Sequence, residues 1–331
     1  RIERSMDKNE ALGRFYAHNR INITAASDPA DGNYDPRIAG LSDQVDRWLA
    51  RIPPENHDLL LTLLSRYHYL TEPVCQSRYV RIVELLKERI QGRCSLNQVL
   101  FLIVEPRSGT ASGGDNVSSD LRKRNYPDVT KSQIIRVQSN LTKERLRDFR
   151  AVVFVDDVLG SGITLWGTIA GFRARFPSLF QDGTMLFYSG IVLREEGVEH
   201  IDDNCRSEKI TVMPLLDSEW YEEPAFPRGS AEFKTLDRFE RLVGYYMVTD
   251  PQKSFFMGFC KNRLLVSLHY NTPNNTLSSF WRDTPDNEPP FPRDGDQPPK
   301  HSPRNAGAGP TDSVRRLRLW HGQTGEAAWI S

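Results

Sequence analysis

Short apolar runs alternate with helical stretches between residues 99 and 215, and this alternation constrains the fold more than any other feature. The runs are Val99 to Glu105, Gln133 to Gln138, Ala151 to Asp157, Thr184 to Leu193 and Lys209 to Leu215. Helical periodicity lies between them, over residues 117–124, 142–149 and 164–175. Strands that alternate with helices predict an α/β fold with a mostly parallel, doubly wound sheet. Such sheets bind ligands at the carboxyl ends of their strands.

The residues before this alternation divide into two regions. Residues 39–96 carry apolar side chains at helical spacing, which predicts a helical region of three amphipathic helices. These side chains are Leu41, Val45, Trp48, Leu49, then Leu59, Leu60, Leu63, Leu64, Tyr67, then Val80, Ile82, Val83, Leu86 and Ile90. Residues 1–38 are polar and contain Asp-Pro and Asp-Gly breaks, which predict a polar arm with at most one short helix.

We assign the alternation itself to a core domain of residues 97–216. Residues 217–293 combine many aromatic side chains with one strand-like run, Arg263 to Tyr270, and are predicted to form a C-terminal cap or extension. From residue 294 to residue 331 the composition is dominated by Pro, Gly, Asp and Arg. Such a composition cannot bury enough apolar surface to order a chain, so we expect a disordered tail there.

Charge and cysteine content exclude several classes of protein. The chain has 43 Lys and Arg against 43 Asp and Glu, so its net charge does not direct it to nucleic acid or anionic membranes. No apolar run reaches the roughly 18 residues of a transmembrane helix, and we expect no membrane association. The four cysteines are scattered without metal-ligand spacing, which predicts reduced thiols in a cytoplasmic protein.

The sharpest motif for chemistry is the segment from Val152 to Thr164. Its apolar strand ends at two adjacent carboxylates, Asp156 and Asp157, which would reach the edge of the sheet and could accept hydrogen bonds from vicinal sugar hydroxyls. Small residues follow, and a helical stretch opens near Thr164. Glycines let the backbone approach an anion closely, and the helix directs its positive end at a phosphate. One short loop could therefore hold a phosphate and a ribose diol together.

This motif resembles the phosphoribosyl diphosphate signature of the type I phosphoribosyltransferases. The resemblance implies that Asp156 and Asp157 bind the ribose hydroxyls, act in catalysis and hold Mg²⁺. It also implies a set of 5-phosphate contacts in the loop, namely Gly160, Ser161, Gly162, Ile163 and Thr164. Ile163 departs from the pattern, since many members of the family carry a small residue there.

A second match lies about 50 residues earlier, at the end of the first core strand. In the family, a short loop at this place wraps the diphosphate. Here Pro106 is followed by Arg107, Ser108 and Gly109. The resemblance implies that the amides of Ser108 and Gly109 bind diphosphate oxygens and that Arg107 adds charge-assisted hydrogen bonds. A surface-loop arginine is the plain alternative for Arg107.

A third match concerns His269 to Arg293, which includes the sequences HYNTPNNT and PPFPR. This segment resembles phosphoribosyltransferase-like proteins of bacterial conflict and antiphage systems, including retron-associated ones. Together the three matches cover residues 40–293. The Asn271, Asn274 and Asn275 amides, with Trp281 stacking, would then be candidates for binding a base. Asn and Pro also form turns that need no ligand, which is the stronger reading of this cluster.

Three other classes of protein share parts of the central motif. Adjacent aspartates after a strand also occur in receiver domains, which lack the glycine-rich loop and the threonine. A Walker A loop is excluded because no lysine follows the glycines, and a phosphatase Asp-x-Asp is disfavoured because the two carboxylates are adjacent. The sequence thus predicts a Mg²⁺-dependent, phosphoribosyltransferase-like effector that binds phosphoribosyl diphosphate or a nucleotide.

The expected setting is antiphage defence, with other defence proteins or a retron ribonucleoprotein as partners, and it is implied by the resemblance alone. Two alternatives stay open at this point. The chain could be a non-catalytic module that keeps the phosphoribosyl pocket in order to sense a nucleotide or to bind a partner or RNA. It could also be a scaffold in which the pocket is vestigial.

Overall fold

A computed structural model describes residues 5–104, 114–136, 141–180, 183–248 and 254–293. The candidate diphosphate residues Arg107, Ser108 and Gly109 lie outside the described residues, as does the tail from residue 294 onward. In the part that is described, no helix is both long and apolar enough to cross a bilayer.

The N-terminal part of the chain is helical throughout. Its elements are α1 (Lys8–His18), α2 (Ile23–Ser27), α3 (Pro36–Ala39), α4 (Leu41–Arg51), α5 (His57–Ser65), the short strand β1 (His68–Leu70) and α6 (Glu72–Ile90). The last three of the helices are the three that the apolar spacing predicts. They bury Trp48, Leu64 and Ile82, which belong to that periodic pattern.

The expectation of at most one short helix before residue 39 is wrong, since three form there. The reason is that polar side chains cap these helices, among them Asp35, which belongs to one of the predicted breaks. Asp7 accepts a hydrogen bond from the Glu10 N–H at 2.9 Å, and Asp35 accepts one from the Arg37 N–H at 3.0 Å. A side-chain oxygen at this position satisfies a donor that has no partner inside the helix. Phe15 on α1 is fully buried, which holds this helix against the rest.

The central sheet has the predicted α/β architecture. Its elements are β2 (Val99–Ile103), α7 (Gly114–Asn125), β3 (Ile134–Arg136), α8 (Lys143–Leu146), β4 (Ala151–Leu159), α9 (Ile163–Arg175), β5 (Met185–Leu193), α10 (Glu195–Ser207) and β6 (Met213–Pro214). All neighbours pair in parallel, in the order β3-β2-β4-β5-β6. Strands β2, β4 and β5 are nearly continuous runs of buried apolar residues, as expected when helices cover both faces.

The strand order fixes where a ligand can bind. The chain starts the sheet at β2, adds β3 on one side, and then crosses to add β4, β5 and β6 on the other. The direction of winding therefore reverses between β2 and β4. In open parallel sheets this reversal leaves a crevice at the carboxyl ends of the two strands, where ligands bind. Asp156 lies near the carboxyl end of β4, beside this crevice.

The C-terminal part contributes α11 (Ala231–Gly244) and β7 (Val266–Leu268). Strand β7 pairs in parallel with β1, from His68 opposite Val266 to Leu70 opposite Leu268. Side chains from the N-terminal helices and from the C-terminal part share one apolar core, in which Tyr67 stacks on Phe280 and Phe291 with centroids 4.9 and 4.7 Å away. The proposed domain boundaries at residues 39, 97 and 217 remain predictions.

Candidate functional site

The two carboxylates of the motif lie near the carboxyl end of β4 and are both partly exposed. Asp156 accepts a hydrogen bond from the Asp157 N–H at 2.9 Å, and Asp157 accepts one from the Val158 N–H at 2.8 Å. Neither carboxylate forms an ion pair with any residue in the described part of the chain. Both therefore keep oxygens that can accept hydrogen bonds from a ligand.

Electrostatics couple the two side chains. Although the Asp156 residue keeps some exposed surface, surrounding protein atoms shield its carboxyl group from water and raise its pKa well above the ordinary value, and the negative charge of Asp157 raises that pKa further. Two carboxylates this close resist ionising together unless a proton, a metal ion or a donor lies between them. The pair is thus suited to bind hydroxyl groups or a divalent cation.

The Tyr270 hydroxyl lies against Asp157, and nothing in the sequence pattern indicates this contact. The Tyr270 hydroxyl donates to the Asp157 carboxylate at a long 3.5 Å. Burial raises the pKa of Tyr79 well above its usual range, and the negative charge of Asp157 adds to the effect. Tyr270 follows β7, so the C-terminal part of the chain contributes a hydrogen bond to this carboxylate.

The loop after β4 presents unused backbone donors. The N–H groups of residues 160–164 donate to no acceptor among the described residues. The carbonyl of Gly162 accepts the first helical hydrogen bond of α9, from Trp166 at 2.8 Å. The side chains of Ile163 and Thr164 are exposed at the start of this 13-residue helix. Free N–H groups and the positive end of a helix dipole together form a strong anion-binding arrangement.

Gly162 is required by the geometry of this loop. It has a φ of 73°, in the left-handed region. A Cβ atom there would lie 2.5 Å from the carbonyl oxygen of Gly197, at the start of α10. The loop therefore packs directly against α10, and no side chain fits between the two segments.

Replacing Gly162 with alanine is expected to lower the free energy of unfolding by about 2–4 kcal/mol, from about 1–2 for the left-handed backbone and the remainder for the clash. Gly13 provides the control, because it lies within α1 and has open space around it. Gly13→Ala should raise stability by about 0.5–1 kcal/mol. Urea unfolding of both variants measures the difference. Equal stabilities would contradict the described loop geometry.

The asparagine-rich segment after β7 approaches the loop after β4 at Asn275. A Cβ atom on Gly160 would lie 2.5 Å from the Asn275 side chain, and the amide nitrogen of this side chain donates to the side-chain Oδ1 of Asn262. Asn271 accepts a hydrogen bond from the next backbone N–H, and the Asn274 carbonyl accepts one from Phe259 at 2.7 Å. Asn275 is therefore adjacent to the loop, whereas Asn271 forms a local turn contact and Asn274 binds the backbone of Phe259.

Trp281 is placed differently from the interpretation that it stacks on a base. Its ring is 1% exposed, and its indole N–H donates to the Thr276 carbonyl at 2.9 Å. Phe255 packs edge-on against it with centroids 5.2 Å apart. The ring has no open face in this structure, so its contacts are those of a core residue.

A Mg²⁺ ion fits the chemistry of the carboxylate pair. Mg²⁺ is usually held by one or two carboxylates and by phosphate oxygens of the substrate. Within the described ranges, no group of three or more His, Cys, Asp or Glu side chains could hold a metal ion alone. Asp156 and Asp157 are the side chains that would hold Mg²⁺ at this site, together with oxygens of a bound phosphate compound.

Comparison with known protein families gives one match. The model of the family described as PRTase-CE matches residues 45–293, which is most of the chain. The match includes the sheet, both carboxylates, the loop at residues 160–164 and the asparagine-rich segment. Neither the curated proteins nor the solved structures gave a significant match.

Proposed function

Because the chain belongs to the PRTase-CE family, which is phosphoribosyltransferase-like, we propose that it binds the 5-phosphoribosyl group of phosphoribosyl diphosphate or of a nucleotide. The observation that carries this proposal is the row of unused N–H groups at residues 160–164, directly after the pair Asp156 and Asp157. The loop would hold the 5-phosphate. The carboxylates would accept hydrogen bonds from the ribose 2′- and 3′-hydroxyls.

The reaction that fits this site is transfer of the phosphoribosyl group to a nitrogen nucleophile. The bond from C1 to the diphosphate oxygen breaks, the diphosphate leaves with the electron pair, and a C1–N bond forms while the nucleophile loses a proton. The ribose becomes positively charged in the transition state. Asp156 and Asp157 would lie close to that charge and stabilise it. Mg²⁺, when bound, would neutralise charge on the leaving diphosphate.

The proposed biological setting is the bacterial cytoplasm, in antiphage defence. The support for this setting is the resemblance of residues 269–293 to effectors of conflict systems, including retron-associated ones. Partner proteins or a retron ribonucleoprotein would then control the activity. Arg107, Ser108 and Gly109 remain the proposed contacts for the diphosphate.

The test is thermal unfolding of the whole chain with Mg²⁺ and phosphoribosyl diphosphate. A ligand at 100 times its Kd stabilises a protein by about 2.7 kcal/mol, which gives a clear rise in Tm. We expect this rise in the wild type and its loss in Asp157→Asn. Asp203→Asn is the control, since Asp203 lies on α10 with a side chain 67% exposed. No rise in the wild type, or a full rise in Asp157→Asn, contradicts the proposal.

Two further measurements on Asp157→Asn separate the alternatives. Release of diphosphate in a mixture of bases distinguishes an enzyme from a sensor that binds without turnover. Protection of cells from phage, or toxicity in cells, tests the defence role. We expect Asp157→Asn to remove both the release of diphosphate and the effect in cells, whereas the control Asp203→Asn should keep both at the level of the wild type. A variant that still protects cells would argue against a role for the pocket in defence.

A further inference from the structure

The amino ends of the central strands lie at one edge of the sheet, which we call the amino edge. All neighbouring strands pair in parallel, so the segments that precede them meet there. The Arg150 N–H donates to the Gln98 carbonyl at 2.8 Å, and the Met185 N–H donates to the Arg150 carbonyl at 3.0 Å. The Gln133 side chain donates to the Leu96 carbonyl at 2.7 Å. These contacts join the segments before β2, β3, β4 and β5 into one surface.

Basic side chains dominate the amino edge. Ten Lys and Arg but only four Asp and Glu occur in its segments, which are residues 91–98, 126–133, 142–150, 173–180 and 206–212. The whole chain, by contrast, has 43 residues of each sign. Nine of the ten basic residues are exposed. Among the described residues, only Arg173 and Arg206 of the ten form ion pairs. The amino edge therefore has a net positive charge that the balanced composition hides.

The opposite edge of the sheet carries mainly negative charge in its described part. Asp156 and Asp157 lie there, near the end of β4. One arginine and four glutamates are the charged side chains that line a cavity at the start of α10, namely Arg194, Glu195, Glu199, Glu222 and Glu223. The fold thus separates its charges across the sheet. A long polyanion is attracted to the amino edge by this separation, although the chain as a whole is neutral.

The basic residues form a row along the whole width of the sheet. Lys131 precedes β3, which is one outer strand, and Lys209 precedes β6, which is the other. Arg93, Arg147 and Arg150 precede the strands between them. Because neighbouring strands are about 4.8 Å apart, the five strands span about 19 Å. A row of this length extends over several consecutive phosphates of a nucleic-acid strand.

Tyr126 adds an aromatic ring to this edge. It lies between α7 and β3, in the same connection as Lys131, and it is 72% exposed. No other large hydrophobic side chain that the structure describes in these segments has such exposure. An exposed ring beside basic residues is typical of proteins that stack the bases of single strands. Binding to a bilayer would instead require a whole apolar face.

We propose that the amino edge binds single-stranded nucleic acid, with the row of basic residues on the phosphates and the Tyr126 ring stacked on a base. This inference goes beyond the proposed function and does not rest on it. The amino edge lies across the sheet from Asp156 and Asp157, so a strand bound there leaves the loop at residues 160–164 open to its own ligand.

Fluorescence anisotropy of the whole chain with labelled oligo(dT) tests the inference. An oligonucleotide of about 20 residues is longer than the site of a typical single-strand binding domain. Each phosphate contact should lower the logarithm of the binding constant by about 0.7 per tenfold rise in salt. Lys131→Glu combined with Arg147→Glu removes two contacts. It should therefore reduce this slope by about 1.4 and raise Kd at least about 10-fold in about 0.1 M salt.

The control is Lys234→Glu combined with Arg238→Glu, which changes the net charge by the same amount. Both side chains are exposed on α11, whose buried face packs in the apolar core shared with the N-terminal helices. This protein should keep the Kd and the salt dependence of the wild type. An equal loss of binding in the two double variants overturns the inference. So does a wild type that fails to bind oligo(dT) in about 50 mM salt, where phosphate contacts are strong.

Tyr126 distinguishes single strands from other polyanions. Tyr126→Ala should raise the Kd for oligo(dT) at least about 5-fold, because a stacked base is lost, whereas Tyr126→Phe keeps the ring and should bind as the wild type does. Tighter binding of a duplex than of the single strand, with no effect of Tyr126→Ala, contradicts the assignment to single strands. Binding to phosphatidylserine vesicles without binding to oligo(dT) would identify an anionic membrane as the partner and also overturn it.

Discussion

Replacing Glu240 with alanine is expected to lower the free energy of unfolding by about 2–6 kcal/mol, the cost of leaving two buried donors without an acceptor. Glu240 lies on α11 and is 0% exposed. Its carboxylate accepts hydrogen bonds from the backbone N–H groups of Ser278 at 3.2 Å and Ser279 at 3.0 Å. These are the first residues of a 3-10 helix that carries Phe280 into the apolar core.

The loss of stability should depend on how many acceptor oxygens the substituted side chain keeps. Glu240→Gln keeps one acceptor oxygen and should cost less than alanine. Glu84→Ala is the matched control, because its side chain is 55% exposed and its change should lie within about 0.5 kcal/mol. Urea unfolding followed by circular dichroism gives the free energies. A Glu240→Ala protein as stable as Glu84→Ala would show that this carboxylate does not hold residues 278–280 in place.

The sheet could be predicted from the sequence because its long strands are continuous runs of apolar residues. Ala151 to Val155 is an unbroken apolar run, and such a run is typical of a strand buried on both faces. The pairing of β1 with β7 had no comparable signal. Tyr69 and Ser267 face each other in that pair, but they are almost two hundred positions apart. Periodicity reports on neighbours in sequence and carries no information on partners so distant.

The residues in and around the candidate site also divide into those that the sequence predicts and those that only the tertiary structure reveals. Asp156, Asp157 and Gly162 were predicted because a strand, two carboxylates and a glycine loop follow one another within a few residues. The sequence places Arg263 only within a strand-like run. What distinguishes it is that the residue is 7% exposed while its Nε atom has no hydrogen-bond partner, and this depends on the tertiary structure alone.

Replacing Asp156 with asparagine is expected to stabilise the protein without ligand while it removes binding of phosphoribosyl diphosphate. In the wild type, burial and the charge of Asp157 raise the pKa of Asp156, so the ionised side chain opposes folding near neutral pH. Asparagine has no charge and keeps one acceptor oxygen for the Asp157 N–H. We expect a gain of about 0.5–2 kcal/mol at pH 7, typical of relief of strain at functional sites.

The stability gained in Asp156→Asn should depend on pH, and the direction of this dependence follows from the pKa shift. Because the folded pKa lies above the ordinary value of 3.8, the folded state takes up a proton before the unfolded state does as the pH falls. Protonation therefore stabilises the wild type between the raised pKa and that ordinary value. The advantage of Asp156→Asn should shrink over this range and vanish below it. Urea unfolding at pH 4 and pH 7 measures the difference, with Asp203→Asn as the exposed control.

The binding and the stability of Asp156→Asn have to be interpreted together. Lost binding together with lost stability would indicate a disrupted loop and would leave the role of Asp156 unproved. Lost binding together with gained stability requires a carboxylate that is unfavourable in the free protein and useful only when a ligand donates hydrogen bonds to it. That is the behaviour expected of a group positioned for ligand binding, because a purely structural carboxylate stabilises the fold that contains it. An Asp156→Asn protein that is less stable at pH 7 would contradict the electrostatics described for the pair.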